Sequence, residues 1–366
     1  MTDLDLLYTQ VEEDLRASVR DLLADRLDSA RVTAMYDGDR SVVAGLWHAI
    51  AVELGLAGLL VPENRGGAGG SAREAAVVLE ELGRAVAPVP FLTSAVIATT
   101  ALLAAESPAG AGLLTEVAGG RRTAALTVPW STAPEAVTGS VELVDGRLSG
   151  TVTSVAGALE ADLLLVPVRT PAGLDLYAVD AAAVVIRPVI CIDMSRQLAD
   201  LTLSGVEGTP LLTDAGPAIA GALQAGAALL ASEQLGLSRW CLSTTLGYLK
   251  ERRQFGRVLG GFQALKHRLA DLYADVESTT AAARYAAAAL AAGDADLPVA
   301  TAVAAAFCGD IAVHIAEEAL QLHGGIGMTW EYPVHLYLKR AKADQLGLGT
   351  AGHHRGRLAG LVALTG

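Results

Sequence analysis

Cysteine is almost absent from this chain: Cys191, Cys241 and Cys308 are the only three in 366 residues. They lie far apart and match no metal-binding or redox spacing. A disulfide scaffold and a cysteine-built metal centre are therefore excluded, and each thiol is expected to act as a small buried apolar residue in a reducing compartment. Charge is also scarce, at 18% of residues, and its balance is acidic, with a net charge of −13. That sign removes nucleic acid as a partner and otherwise serves ordinary solubility. No uncharged apolar run of membrane-spanning length with suitable flanks stands out. The alanine stretch 281–292 is interrupted by Arg284 and Tyr285 and runs into Gly-Asp-Ala-Asp, so a tightly packed helix is expected there and no membrane span. The N-terminal residues Thr2, Asp3 and Asp5 lack the basic and apolar regions of a secretory leader. A cytoplasmic location is the expectation.

Hydrophobic residues, mostly alanine, make up 52% of the chain. So much apolar surface implies helix–helix cores or faces covered by other subunits. Three zones follow one another. Residues 1–118 show helical periodicity through Leu6–Leu27 and Val42–Leu54, broken by Pro62–Gly67 and Pro88-Val89-Pro90. Residues 119–213 change to short β-branched runs, Thr123–Val128, Ser140–Val144, Leu163–Val168, Leu174–Val179, Val184–Ile190 and Leu201–Leu203. These predict an antiparallel β domain. From 214 to 366 the helical period returns, with helices expected at 216–252, 262–292, 298–322 and 332–346. Pro217 and Pro298 fall in first turns, where proline is tolerated. The expected fold class is α+β: an N-terminal helical domain, a middle β domain and a C-terminal helical bundle.

Two stretches of the last zone carry chemistry. Glu251-Arg252-Arg253-Gln254-Phe255-Gly256 runs on to Phe262-Gln263, and Gln321-Leu322-His323-Gly324-Gly325-Ile326-Gly327 is followed by Glu331-Tyr332-Pro333. An arginine at a helix end supplies a planar fork of donors for a pyrophosphate, and glycine lets backbone N–H groups approach the anion. A Gly-Gly-x-Gly turn offers bare backbone again. Each stretch by itself also reads as a helix C-cap followed by a loop.

Together the two stretches resemble the paired signature of the acyl-CoA dehydrogenase family, Arg-x-x-Phe-Gly…Phe-Gln and Gln-x-x-Gly-Gly-x-Gly…Glu-Tyr-Pro. The resemblance extends over the chain: Leu54–Glu63 with Gly66-Gly67 is similar to the family's Gly-Leu…Val-Pro-Glu…Gly-Gly turn, and Glu80-Glu81-Leu82-Gly83-Arg84 to the helix after it. It implies a helical domain, a β-barrel-like domain and a four-helix bundle. It also implies that Arg252, Arg253, Gln254, Phe262, Gln263, Gln321, Leu322, His323, Gly324 and Gly325 touch the pyrophosphate and adenosine end of an FAD whose ring lies in a neighbouring chain.

The pattern is broken where the family does its chemistry. A carboxylate must take the α-proton of the acyl-CoA while the β-hydrogen leaves as hydride. In most members that base is the Glu of Tyr-Glu-Gly-Thr; here Gln345–Thr350 places Leu348 at the position, and leucine cannot accept a proton. The alternative position, early in the first bundle helix, falls on Gly226. Glu233, about 10 Å further along that helix, is a weak candidate for a displaced base, with a buried hydrogen-bonding role as the alternative reading. His353 and His354 are expected to be solvated. The family's Thr-Glu-x-x-Ala-Gly-Ser-Asp is replaced by Thr127–Glu135, with Pro129 and Pro134 removing backbone donors, and its Lys-x-Trp-Ile-Thr-Asn by Thr151–Ala158.

What the resemblance implies, then, is a non-catalytic subunit of a heteromeric acyl-CoA dehydrogenase of the actinobacterial steroid side-chain type. It would be α2β2, inactive alone, with FAD shared across the interface and acyl-CoA bound mainly by the catalytic partner. Two other readings stay open: a homomeric flavoenzyme of this fold, either with Glu233 as base or as a flavin monooxygenase, and a flavin-free structural or ligand-binding protein.

Overall fold

The computed structural model describes residues 4–364; Thr2 and Asp3, weighed above as part of a leader, lie outside them. The first helices are α1 (Gln10–Arg26), α2 (Ser29–Ala34), α3 (Ser41–His48), α4 (Ala72–Arg84), α5 (Thr99–Leu103) and α6 (Pro108–Ala118). Two of them start on capping boxes: Thr9 with Glu12 opens α1, and Ser71 with Glu74 opens α4. In each, side chain and backbone satisfy one another's orphan donors. Wider helical turns at Ala49–Glu53 and Phe91–Ala98 extend α3 and lead into α5.

The strands are β1 (Ala124–Leu126), β2 (Val141–Val144), β3 (Arg147–Ala156), β4 (Leu163–Thr170), β5 (Gly173–Asp180), β6 (Val185–Pro188), β7 (Leu198–Val206) and β8 (Thr209–Leu212). They form one sheet in the order β6-β7-β3-β2-β4-β5-β8, with β1 beside β4. The sheet is mixed where an antiparallel one was expected: β1 and β2 both run parallel to β4, pairing Ala124 with Leu163 and Val141 with Val168. Direction depends on how the connections cross, which alternation of side chains does not encode. Strand β3 gave no sequence signal because Gly150 and a run of Ser and Thr break its apolar rhythm, and shifts of register at Leu148/Ser149 and Val152/Val155 break it further.

After Gly216 the chain is helical: α7 (Gly216–Glu251), α8 (Gln263–Ala292), α9 (Leu297–His323), α10 (Val334–Gln345) and α11 (Ala351–Leu361), with a small hairpin of β9 (Arg253–Gln254) and β10 (Arg257–Val258) after α7. Helix α11 falls within the helical period expected to the end of the chain, though no separate helix was assigned there. Among the described residues, α9 with the turn after it is long and apolar enough to cross a membrane, yet it is largely buried against α7, α8, α10 and α11. Cys241 and Cys308 are buried in this bundle core. Cys191 departs from expectation, being only half-buried, with its thiol donating to the carbonyl of Asp193.

The spine of the molecule is α7, which packs on α4 from the N-terminal zone and on α8, α9 and α10 from its own. Helices α4 and α7 touch backbone to backbone. A Cβ on Gly83 would lie 2.1 Å from the Glu233 carbonyl oxygen, and one on Gly236 would lie 1.9 Å from that of Glu80. Gly236→Ala must push the two helices apart, and overpacking of this kind costs about 1–3 kcal/mol. The expected outcome is a lower urea midpoint for Gly236→Ala, with Gly247→Ala, which meets open space, showing no such loss.

Candidate functional site

Two regions at opposite ends of α7 bear on function. Near its N-terminal half, Gly226 faces Leu348: a Cβ on Gly226 would come 3.1 Å from Leu348 Cδ1 and 2.7 Å from Ile97 Cγ1. The two positions where the resemblance would put a base therefore meet each other as methyl against glycine. Leu348 is buried in a left-handed conformation, φ +54°, and its N–H donates to the Trp130 carbonyl at 2.8 Å. The space enclosed by Thr93, Ile97, Leu126, Val128, Leu223 and Leu348 is about 20 Å³, room for one water at most. His354, expected to be solvated, is buried with Nε2 3.0 Å from the Leu348 carbonyl, and burial lowers its pKa. His353 sits 3.1 Å from a Glu135 oxygen.

Glu233 lies in a buried charge cluster. Arg196 donates to its two oxygens at 2.6 and 2.8 Å, and Arg340 donates to Oε1 at 2.6 Å. Arg340 also reaches Asp193 and Ser195, and Arg196 pairs with Asp344. Burial alone would raise the Glu233 pKa, but the two guanidinium groups outweigh it and hold the carboxyl below its usual range. Asp344 goes the other way: burial and the neighbouring Glu233 charge raise it well above its usual value. A base needs a free lone pair and a pKa near the working pH. Both Glu233 oxygens are engaged, so the displaced-base expectation does not fit the geometry.

At the far end of α7, Arg252 leaves the helix and the β9–β10 hairpin turns through Phe255 (φ +52°) and Gly256 (φ +74°), the two left-handed residues of a tight hairpin turn. The Phe255 side chain is 85% exposed at the tip. Arg252, Arg253, Gln254, Gln263 and Gln321 are all exposed, and among the described residues their side chains have no hydrogen-bond or ion-pair partner. Phe262 is half-buried under the Arg257 guanidinium, 3.8 Å from its ring centre. Gly324 and Gly325 form an exposed turn at the end of α9.

The side chains of Leu322 and His323 do not face this surface. Both are buried. The His323 ring lies between Tyr248 and Tyr332, 4.6 Å from each. Burial lowers its pKa, so its neutral ring donates from Nδ1 to the Ala319 carbonyl at 2.6 Å and accepts at Nε2 from the Tyr332 hydroxyl at 3.2 Å. That stack fixes the end of α7 beside the end of α9, which brings Arg252 and the Gly324-Gly325 turn to one end of the bundle. The two side chains thus take a positioning role, and contact of Leu322 and His323 with a cofactor would be through their backbone.

Residues 9–109 match the family description "Acyl-CoA dehydrogenase, N-terminal domain" and residues 216–362 match "Acyl-CoA dehydrogenase, C-terminal domain". The chain is 38% identical over 327 residues to acyl-CoA dehydrogenase IpdE2 of Mycobacterium tuberculosis, covering 89% of each protein. The chain belongs to the acyl-CoA dehydrogenase family. It is also 34% identical to IpdE2 of Mycolicibacterium smegmatis, over 93% of this chain and 95% of that one. Among solved structures it is similar to the Tcur3481-Tcur3483 steroid ACAD G363A variant, at 32% identity and a TM-score of 0.85, covering 97% of this chain and 98% of that one. The ChsE4-ChsE5 complex of Mycobacterium tuberculosis gives 27% identity and a TM-score of 0.85, over 99% of this chain and 100% of that one.

Members of this acyl-CoA dehydrogenase family generally bind FAD. The 20 Å³ left beside Leu348 does not fit a three-ring flavin, whereas the unpaired arginine and glutamine donors with bare glycine backbone suit a pyrophosphate. Sequence reasoning missed Trp130, Arg196, Arg340, Asp193 and Asp344. The last four are scattered over 150 residues with no shared motif, and only the i, i+4 spacing of Arg340 and Asp344 hinted at a common face.

Two substitutions in the charge cluster should act in opposite senses. Glu233 has a lowered folded-state pKa, so its stabilisation is present above the ordinary carboxylate value and lost as pH falls through the folded one. Glu233→Gln leaves Arg340 buried and under-paired and should cost about 3–5 kcal/mol near neutrality. Asp344 has a raised folded-state pKa, so it costs stability as pH rises above its ordinary value near 3.8. Asp344→Asn should leave stability at neutral pH unchanged or higher and flatten its fall with rising pH. Urea unfolding across about pH 5 to 8 measures both.

Proposed function

We propose that this chain is the non-catalytic subunit of a heteromeric FAD-dependent acyl-CoA dehydrogenase of α2β2 composition. The observation that carries the reading is the Gly226–Leu348 contact: both base positions are apolar, they touch, and the cleft around them is filled. The partner supplies the carboxylate that takes the α-proton, the flavin that takes the hydride, and most of the acyl-CoA site. This chain contributes Arg252, Arg253, Gln254, Gln263, Gln321 and the backbone of Gly324 and Gly325 to the pyrophosphate and adenosine end of that FAD. Phe262, packed under Arg257, belongs to the same cofactor-contacting set. Phe255, Ile326, Met328 and Trp330 are exposed on the flanking loops, an apolar rim that a partner subunit would cover.

The similarity to a steroid acyl-CoA dehydrogenase supports a CoA thioester of a steroid side chain as the substrate class. That similarity and the ChsE4-ChsE5 complex also support a two-gene assembly. A homomeric enzyme with Glu233 as base is disfavoured by the two arginines on that carboxylate. A flavin monooxygenase of this fold needs an open ring pocket and is disfavoured by the same 20 Å³. A flavin-free protein would share the closed cleft; the unpaired Arg252–Gln254 arm favours lending over complete loss.

The visible absorption spectrum tests this. Purified alone, the protein should be colourless. Co-expressed with an acyl-CoA dehydrogenase that keeps the glutamate, it should co-purify yellow and bleach with the acyl-CoA, and Arg252→Ala in this chain should lower bound flavin without separating the subunits. A lone protein that is yellow and bleaches with acyl-CoA would overturn the reading.

A further inference from the structure

Trp130 is held in the cleft as a ligand would be held. It belongs to the segment between β1 and β2 and is buried over the space lined by Thr93, Ile97, Leu126, Leu223 and Leu348. Its indole Nε1 donates to the Ala343 carbonyl at 3.0 Å. Its backbone N–H donates to the Ser154 carbonyl, and its carbonyl accepts from Leu348 N–H, both at 2.8 Å. The Arg196 guanidinium lies 5.0 Å over the ring, itself fixed by Glu233. A Cβ on Gly347 would come within 2.4 Å of the indole, so the ring rests directly on backbone.

The two residues that clasp the Trp130 backbone, Ser154 and Leu348, are both in the left-handed region, φ +56° and +54°. Non-glycine residues keep such conformations only where their surroundings impose them. Strained residues on both sides of its backbone, a hydrogen bond from its indole N–H and a cation on its face mark a slot built around a flat ring.

We propose that Trp130 is a built-in plug: its indole occupies a slot for a planar heteroaromatic ligand that this chain would bind once the indole is removed. The slot takes an uncharged flat ring with an N–H directed at the Ala343 carbonyl. The plug excludes a flavin ring from this chain by occupancy, in addition to the contacts the cleft has lost. The proposal holds with or without a partner subunit.

Chemical rescue of the intact chain tests it, with indole as the probe. Trp130→Ala should lower Tm by roughly 4–7 °C, and millimolar indole should restore most of the loss saturably. Wild type should show no shift with indole. Leu114→Ala, another large-to-small change at a buried site, should lose stability without rescue. If Trp130→Ala is insoluble, soluble yield from cultures grown with indole is the readout, and recovery supports the plug. No saturable shift and no recovered yield with Trp130→Ala, or an equal indole shift in wild type or Leu114→Ala, overturns it.

Discussion

Two arginines buried against three carboxylates tie this molecule together. Arg340 from α10 and Arg196 from the loop before β7 both bind Glu233 of α7, with Asp193 and Asp344 completing the cluster. Three regions remote in sequence, the β domain, the first bundle helix and the fourth, are thereby held at one point. Uncompensated charge in such a place is strongly destabilising, so the cluster constrains where each element can sit. Burial and the neighbouring Glu233 charge raise the pKa of Asp344, which lessens its share of the negative charge that the two cations face.

The closed cleft depends on that cluster. Arg196 covers the Trp130 indole, Trp130 receives the backbone of Leu348, and Leu348 meets Gly226. What would be a gap between β domain and bundle is thus filled from both sides by the chain itself. The opposite end of α7 is organised differently. The Tyr248–His323–Tyr332 stack sets two loops side by side, while Arg252, Arg253 and Gln254 are exposed with side chains that have no hydrogen-bond or ion-pair partner among the described residues. One helix thus joins a sealed end to an open end.

Much of the architecture was legible from residue order. The long helices were read to within a few residues, because their alanine-rich apolar period is unbroken and proline and glycine mark their ends. The Arg252–Gly256 and Gln321–Gly327 stretches were legible as helix ends followed by loops, because arginine and paired glycine mark where a helix stops. Strand β3 was illegible because its bulges scramble the alternation, and the parallel pairing of β1 and β2 with β4 because strand direction is a property of connections. That the side chains of Leu322 and His323 turn inward was not legible, because a motif gives identity and order, while the face a helical side chain takes at a helix end is set by what packs there.

The sequence by itself determined the family, the succession of a helical, a β and a second helical zone, and the lack of a carboxylate at Leu348 and Gly226, since a residue that cannot accept a proton is the same in any conformation. Only the tertiary structure decided that those two positions touch, that Glu233 is committed to two arginines, and that Trp130 fills the space between them. Each of these is a meeting of residues more than a hundred positions apart or a choice among partners, and proximity in space follows from packing that no local stretch of sequence contains.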